Sequence, residues 1–246
     1  MITDTTIAAF QDAVKTEVLE VDGKPFVTRQ VFEAPQLRAP HKPATLTLYS
    51  LTGLVDYVKD VLDDKEHNEA EVFIHVEDPE SVSVVSKLYS EFKQRDTLIK
   101  AVYETPAFPY GRFLPKEEFI IQLSSKFVEN GQRSGLLSLA GNLRSQKILS
   151  AEDDGVSQQV IVRKGIQLDR QVTPDPFVTL APFRTFTEVL QPASQFLFRM
   201  QSDYDEEPPK CALFESDGGA WKNEARQRVK DWLIKALEGT EIVVLA

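Results

Sequence analysis

Cysteine is almost absent from this sequence of 246 residues. Cys211 is the one cysteine, which excludes an intrachain disulfide and any zinc or iron–sulfur site built from several cysteines. A chain of this length buries about 70–75% of the surface that its unfolded form exposes, so it can fold without a disulfide or a structural metal site. Because Cys211 lies in the apolar run that includes Leu213, we expect a small core residue in a reducing compartment.

Long apolar runs are also absent. No uninterrupted stretch approaches the ~18 residues of a membrane-spanning helix. The first residues, Met1 to Asp4, lack the basic and apolar regions of a secretory signal. The sequence therefore predicts a soluble, cytosolic protein that binds no membrane.

Standard catalytic motifs are missing as well. The 11 glycines form neither of the common phosphate-binding loops, and there is no G-x-S-x-G nucleophile elbow. His67 and His75 each begin an H-x-E triplet, but the P-C-x-x-C segment of zinc deaminases needs more cysteines than the chain has. We therefore predict a protein that is not an enzyme and that carries no cofactor.

The order of sequence patterns predicts an α+β fold, because strands occur in runs instead of alternating with helices. A mixed unit of antiparallel strands and a helix is followed by an αα hairpin and an antiparallel β meander, which a C-terminal amphipathic helix and short strand close. Residues 1–43 are expected to hold a helix, a strand and a proline-rich connector. Residues 44–246 form a single α+β domain, or two subdomains at 44–131 and 132–246.

Several local signals place individual elements. Ser50 is expected to cap a helix, and Pro115 to begin one that ends near Asn130 and Gly131. A further helix is expected from Ser134, and the C-terminal helix ends at Gly239. The apolar stripe of the helix after Ser50 consists of Leu51, Leu54, Val55, Val58, Val61 and Leu62. Strand residues predicted to share one face are Val72, Ile74 and Val76.

The formal net charge of −10 is concentrated in one segment, residues 60–80. This segment has nine acids and one base, Lys65. Its acids are Asp60, Asp63, Asp64, Glu66, Glu69, Glu71, Glu77, Asp78 and Glu80. Such a row of carboxylates is typical either of a solvated face or of a surface that docks on a basic partner.

The rest of the chain is slightly basic, which leaves room for a local nucleic-acid site. Candidate phosphate-binding residues are Lys93, Arg95, Lys100, Arg163, Lys164, Arg170 and Arg184. Aromatic residues lie among them, as in proteins that bind single strands. The alternative is an ordinary strand pattern, in which cations point outward and aromatic residues inward.

A short acidic run could supply oxygen ligands for Mg²⁺ or Ca²⁺. Its carboxylates are Asp203, Asp205, Glu206 and Glu207. The run lacks the glycine and the spaced terminal glutamate of an EF-hand, and Pro208 and Pro209 follow it. A solvated loop is the alternative interpretation, so these residues are weak metal candidates.

The order of segments over residues 45–246 resembles the YfdQ-like family, a domain of unknown function of bacteriophages and prophages. The similar strings include Leu51-Thr-Gly-Leu-Val-Asp-Tyr-Val58, Arg112-Phe-Leu-Pro-Lys-Glu-Glu-Phe119, Leu139-Ala-Gly-Asn-Leu-Arg144 and Phe196-Leu-Phe-Arg-Met200. The strand pair 81–104 and the amphipathic helix 220–237 also fit. The resemblance implies an early, non-virion protein of the bacterial cytoplasm, and it transfers no functional residue.

Three functional hypotheses follow. The first is a non-enzymatic phage or prophage accessory protein that binds a host or phage protein through the acidic segment 60–80. The second is an accessory of a recombination or replication module that binds single-stranded nucleic acid through the basic residues. The third is a metal-dependent enzyme that uses the 203–207 carboxylates. None of these patterns indicates an oligomeric state.

Overall fold

A computed structural model of the chain describes residues 18–27, 44–62, 71–89, 93–143, 160–164, 167–172, 175–201 and 209–246. Only the backbone is described for residues 26, 27, 160–164 and 167–172. The chain divides into two compact units, Met1–Ala44 and Thr45–Ala246.

The first unit contains an antiparallel hairpin of β1, Val18–Val21, and β2, Lys24–Val27. Asp22 and Gly23 form its turn with φ of 52° and 73°, and two positive values are what a type I′ turn requires. The strand expected within residues 1–43 is present at Lys24–Val27. The expected N-terminal helix and the proline-rich connector lie outside the described residues.

The second unit contains the remaining elements, and all bounds follow in chain order. They are β3 Leu46–Leu48, α1 Leu51–Asp56 with a π-helical turn Tyr57–Val61, β4 Val72–Asp78, β5 Ser81–Ser86, β6 Thr97–Val102, β7 Leu114–Pro115, α2 Lys116–Lys126, α3 Gly131–Asn142, β8 Val160–Lys164, β9 Gln167–Val172, β10 Phe177–Leu180, β11 Ser194–Gln201, β12 Lys210–Glu215, α4 Trp221–Ala236 and β13 Val243–Leu245. The α+β class is confirmed.

Five strands form a mixed sheet in the order β13-β4-β5-β6-β3. The pairs β4–β5 and β5–β6 are antiparallel, whereas β13 pairs with β4 and β3 pairs with β6 in parallel. Strands β3 and β4 therefore point the same way, and α1 is the crossover that parallel strands need.

One face of this sheet carries α1 and α4, and together they form the first core. Val72, Ile74 and Val76 are buried here, as predicted. Leu51, Leu54, Val55 and Val58 face them from α1. The prediction that Val61 belongs to this stripe is wrong, because the π-helical turn changes the helical register and leaves Val61 50% exposed.

Four strands form a second sheet in the order β10-β11-β12-β7, and its second core includes residues of α2 and α3. The predicted antiparallel neighbours β10 and β11 are confirmed, whereas β12 was not predicted and β8–β9 form a separate two-stranded sheet. Helix α2 ends at Lys126, earlier than expected. Asn130 caps α3 instead of ending α2, because its side chain accepts a hydrogen bond from the Arg133 N–H at 2.7 Å.

The C-terminal helix and strand follow the meander in sequence, but they pack on the five-stranded sheet instead of closing the meander. Ala225, Val229 and Leu233 form the buried stripe of α4, and Val229 and Leu233 belong to the first core. Both cores take residues from before and after residue 131. In the part of the chain that the structure describes, no helix is both long and apolar enough to cross a membrane.

Candidate interaction site

The fold divides the acidic segment 60–80 between the two ends of β4. Asp60 lies in the π-helical turn after α1, and Glu71 immediately precedes β4. Asp78 and Glu80 lie at the opposite end of the strand. Asp63, Asp64, Glu66 and Glu69 lie outside the described residues. The described acids of the predicted docking face therefore form two separate groups.

Glu77 is used inside the protein. Its carboxylate accepts hydrogen bonds from the hydroxyls of Ser81 (3.1 Å) and Ser83 and pairs with the Lys100 ammonium at 2.9 Å. Burial opposes ionisation, but these hydrogen bonds and the charge of Lys100 outweigh it, so the pKa of Glu77 lies below its usual value. A predicted partner-binding acid and a predicted phosphate-binding cation thus neutralise each other.

The turn between β4 and β5 also uses its carboxylates locally. Asp78 accepts a hydrogen bond from the Glu80 N–H at 2.8 Å. Burial and the nearby Asp78 charge raise the pKa of the Glu80 carboxyl. This end of the acidic segment therefore stabilises a tight turn.

Asp60 and Glu71 differ from these acids because, within the described ranges, their carboxylates have no hydrogen bond or ion pair, and both residues lie at the other end of β4. The α1 crossover returns the chain to the end of the sheet where β4 begins, so Asp60 and Glu71 both belong to that end. Within the described ranges, no lysine, arginine or histidine is in ion-pair distance of either carboxylate. Among the described acids of the segment, these two residues have exposed carboxylates that are available to a partner.

The predicted basic residues are scattered. Lys93 and Arg95 are exposed near the β5–β6 turn, and Lys100 pairs with Glu77. Arg163, Lys164 and Arg170 belong to the β8–β9 hairpin, whose side chains are not described. Among the predicted basic residues whose side chains are described, Lys93 and Arg95 are the two that are exposed and close together in the chain.

Arg184 is not a phosphate-binding residue, because it is only 4% exposed. Its guanidinium carbon lies 4.4 Å, 5.1 Å and 5.3 Å from the ring centroids of Trp221, Phe196 and Tyr110. It also pairs with the Glu215 carboxylate at 3.0 Å. The prediction that Arg184 binds nucleic acid is wrong because residues 181–193 form an irregular segment in which the Arg184 side chain is buried.

This irregular segment is held by side chains that the sequence did not single out. The Gln191 amide accepts hydrogen bonds from the backbone N–H groups of Arg184 and Thr185 and donates to the carbonyls of Thr185, Phe186 and Val189. Phe186 and Val189 enter the first core. Glu188 accepts hydrogen bonds from the N–H groups of Leu51 (2.8 Å) and Thr52 (3.2 Å) at the start of α1. No local motif signals these contacts, because their partners are distant in sequence.

The face of the five-stranded sheet opposite the two helices is not covered by another helix or sheet among the described residues, and we call it the open face. The register places Phe73 beside Val85 and Val243, and His75 beside Ser83 and Leu245. His75, Val243 and Leu245 are exposed, and Phe73 is half-buried. The Arg95 guanidinium carbon lies 5.0 Å from the centroid of the Phe73 ring. Alternation in β4 predicted a face opposite to Val72, Ile74 and Val76, but it did not show whether another layer covers that face.

An apolar groove of about 320 Å³ lies between α3 and β10. Leu136, Leu139, Phe177 and Val178 line it together with the polar Gln132 and Asp175. Both polar residues are used locally, because Gln132 accepts a hydrogen bond from the Thr179 N–H and Asp175 accepts one from the Phe177 N–H. The groove offers apolar surface without a convergent set of polar groups.

Metal-binding side chains form no cluster among the residues described. No group of three or more histidine, cysteine or acidic residues there could hold a metal ion. Asp203, Asp205, Glu206 and Glu207 lie outside the described residues, so the metal hypothesis stays a prediction. Cys211 is a core residue, as predicted, and burial raises the pKa of its thiol to about 12.

Comparisons with family models, curated proteins and solved structures found no match for this chain. The resemblance to the YfdQ-like family therefore stays a prediction.

Proposed function

We propose that this chain is a non-enzymatic accessory protein that binds a basic protein partner through the carboxylates at the Asp60–Glu71 end of the five-stranded sheet. The proposal includes an origin in a bacteriophage or prophage and a location in the bacterial cytoplasm, as the family resemblance implies. The partner belongs to the host or to the phage.

The observation that supports the proposal is the difference between the acids at the two ends of β4. Glu77, Asp78 and Glu80 have intramolecular roles in the strand and its turn. Asp60 and Glu71 are exposed and have no cation beside them among the described residues. Unpaired charge on a surface contributes mainly to the attraction and orientation of a charged partner.

Charge reversal at this site tests the proposal. The variant carries Asp60→Lys and Glu71→Lys, and its matched control carries Glu104→Lys and Glu129→Lys. The control acids are exposed, and the double reversal changes the net charge equally. Glu104 follows β6, which runs parallel to β4, so it lies at the opposite end of the same sheet.

The measurement is affinity capture from host and phage-infected lysates at low salt, followed by direct titration of each purified candidate. We expect one basic protein that binds the wild type and the control, and whose affinity for the site variant falls about tenfold or more. Binding should also weaken as salt rises. Equal affinity of one partner for both double variants would contradict the proposal.

A further inference from the structure

We propose that the open face binds single-stranded nucleic acid, with Phe73 and His75 beneath the bases and Lys87, Lys93 and Arg95 beside the phosphates. This proposal does not depend on the protein-binding function above.

The two rings are suitably placed for stacking. Phe73 and His75 are two residues apart on β4, so their side chains point to the same side and lie about 7 Å apart along the strand. Their neighbours across the sheet are small or apolar: Val85, Ser83, Val243 and Leu245. Aromatic rings on a surface of this kind accept bases of any sequence, because every base has a π-face.

The contact between Arg95 and Phe73 shows that the ring face is accessible to a flat, charged group. The guanidinium carbon lies 5.0 Å from the ring centroid, and the Arg95 side chain is exposed. An arginine in this position can stack on an adjacent base while it donates hydrogen bonds to a phosphate. The pair therefore offers both kinds of contact that a single strand needs.

The charges near these rings complement phosphates. Lys87, Lys93 and Arg95 are exposed, and none has a carboxylate in ion-pair distance within the described ranges. Lys87 continues the alternation of Ser83 and Val85 in β5, so its side chain belongs to the open face. The Lys87 N–H donates to the Glu71 carbonyl, so Glu71 lies beside Lys87 at the end of the sheet where β4 begins. Lys100 pairs with Glu77, so among the described residues of this face three exposed cations stand against one exposed acid, Glu71.

A single strand fits this face better than an acidic protein does. Cations alone would suit either ligand, but the exposed His75 ring and the half-buried Phe73 ring add affinity only for a ligand with flat π-systems. Duplex DNA does not present its base faces, so it cannot use the rings.

Fluorescence anisotropy of labelled oligo(dT) tests the proposal. At about 50 mM salt we expect measurable binding that weakens steeply as salt rises, because phosphate contacts release counterions. Arg95→Glu should weaken binding about tenfold or more, whereas Arg112→Glu, an equal charge change at an exposed arginine elsewhere, should change it less than about twofold. His75→Ala removes an exposed ring without emptying the core and should cost about fivefold or more.

Glu71→Lys separates this proposal from the protein-binding function. It should strengthen oligo(dT) binding, because a cation replaces the carboxylate beside Lys87. The same substitution should weaken capture of a basic protein. If only the nucleic-acid proposal fails, Glu71→Lys weakens capture of the basic protein and leaves oligo(dT) binding unchanged. If only the protein-binding proposal fails, the substitution strengthens oligo(dT) binding alone.

Four results would overturn the nucleic-acid proposal. The first is no binding of oligo(dT) or oligo(U) at about 50 mM salt. The second is an equal loss with Arg112→Glu, which indicates attraction by net charge alone. The third is equally tight binding of a duplex. The fourth is a loss of oligo(dT) affinity with Arg95→Glu but not with His75→Ala. That result indicates a polyanion site for an acidic protein.

Discussion

The guanidinium carbon of Arg184 is buried 4.4 Å from the centroid of the Trp221 ring. Trp221 is the first residue of α4, which packs on the first core. The other two rings near the guanidinium lie at the second core: Phe196 belongs to it, and Tyr110 packs against it. Arg184 also donates to the Ser194 hydroxyl at 3.2 Å and the Tyr110 hydroxyl at 3.3 Å. One buried cation therefore links the start of the C-terminal helix to the second sheet.

Removal of this cation should destabilise the fold. We expect Arg184→Ala to lower the free energy of unfolding by about 3 kcal/mol, because it removes a buried guanidinium together with its two hydrogen bonds, its three cation–aromatic contacts and its ion pair with the exposed Glu215 carboxylate. Arg184→Lys should recover only part of the lost free energy of unfolding, because an ammonium group lacks the planar shape and the fork of donors of a guanidinium. Urea unfolding measures both. Arg112→Ala, at an exposed arginine, is the control and should change the midpoint little. A stability of Arg184→Lys equal to that of the wild type would contradict the role of stacking.

Glu188 should stabilise the start of α1 from a distance of more than a hundred residues. Its carboxylate accepts hydrogen bonds from two N–H groups that have no partner within the helix, and its negative charge lies at the positive end of the helix dipole. Glu188→Ala should therefore cost about 1–2 kcal/mol in thermal or urea unfolding. Glu188→Gln keeps an acceptor oxygen and should cost less. Glu104→Ala, at an exposed acid outside the helices, should have no comparable effect.

Stability should fall in acid partly because of Glu77. The pKa of this carboxyl is lowered in the folded protein, since hydrogen bonds from Ser83, Lys100 and Ser81 and the Lys100 charge outweigh its burial. A lowered folded-state pKa stabilises the protein above the usual glutamate value of about 4.3, and this stability is lost as pH falls through the folded-state pKa. Glu77→Gln should cost about 1 kcal/mol near neutral pH, and the difference from the wild type should shrink in acid. Urea midpoints from pH 7 down to about 3 measure this, and a difference that is constant with pH would contradict it.

Cys211 should react slowly with alkylating agents while the protein is folded. The thiol is buried in β12, and burial raises its pKa to about 12, so both access and thiolate fraction are low. Iodoacetamide at pH 8 should label the native protein far more slowly than the protein in concentrated urea, with mass spectrometry as the readout. Because the chain has one cysteine, one adduct reports one site. Rapid native labelling would show that the second core opens locally at β12.

Local elements were predictable where a short pattern has one structural interpretation. Ser50 caps α1 as expected, since its hydroxyl accepts a hydrogen bond from the Gly53 N–H at 3.1 Å. The alternation of Val72, Ile74 and Val76 correctly predicts the buried face of β4. Gly239 follows α4 with φ of 92°, a left-handed conformation that glycine adopts without strain. These signals work because hydrogen bonding and burial over a few residues decide them.

Pairing between distant segments could not be predicted in the same way. Periodicity indicates that a strand has a buried face, but it does not indicate which strand lies beside it or in which direction. The parallel pairs β3–β6 and β13–β4 therefore came only from the structure. The same is true of α4, whose apolar stripe fits either sheet by composition.

The sequence by itself determined the α+β class, the core position of Cys211 and the concentration of acid in residues 60–80. Only the tertiary structure decided which charges remain available. It pairs Glu77 with Lys100 and buries Arg184 among three rings, while it leaves Asp60, Glu71 and Arg95 exposed. The physical reason is that a charge becomes a binding group only when no residue nearby in space satisfies it, and sequence distance does not report proximity in space.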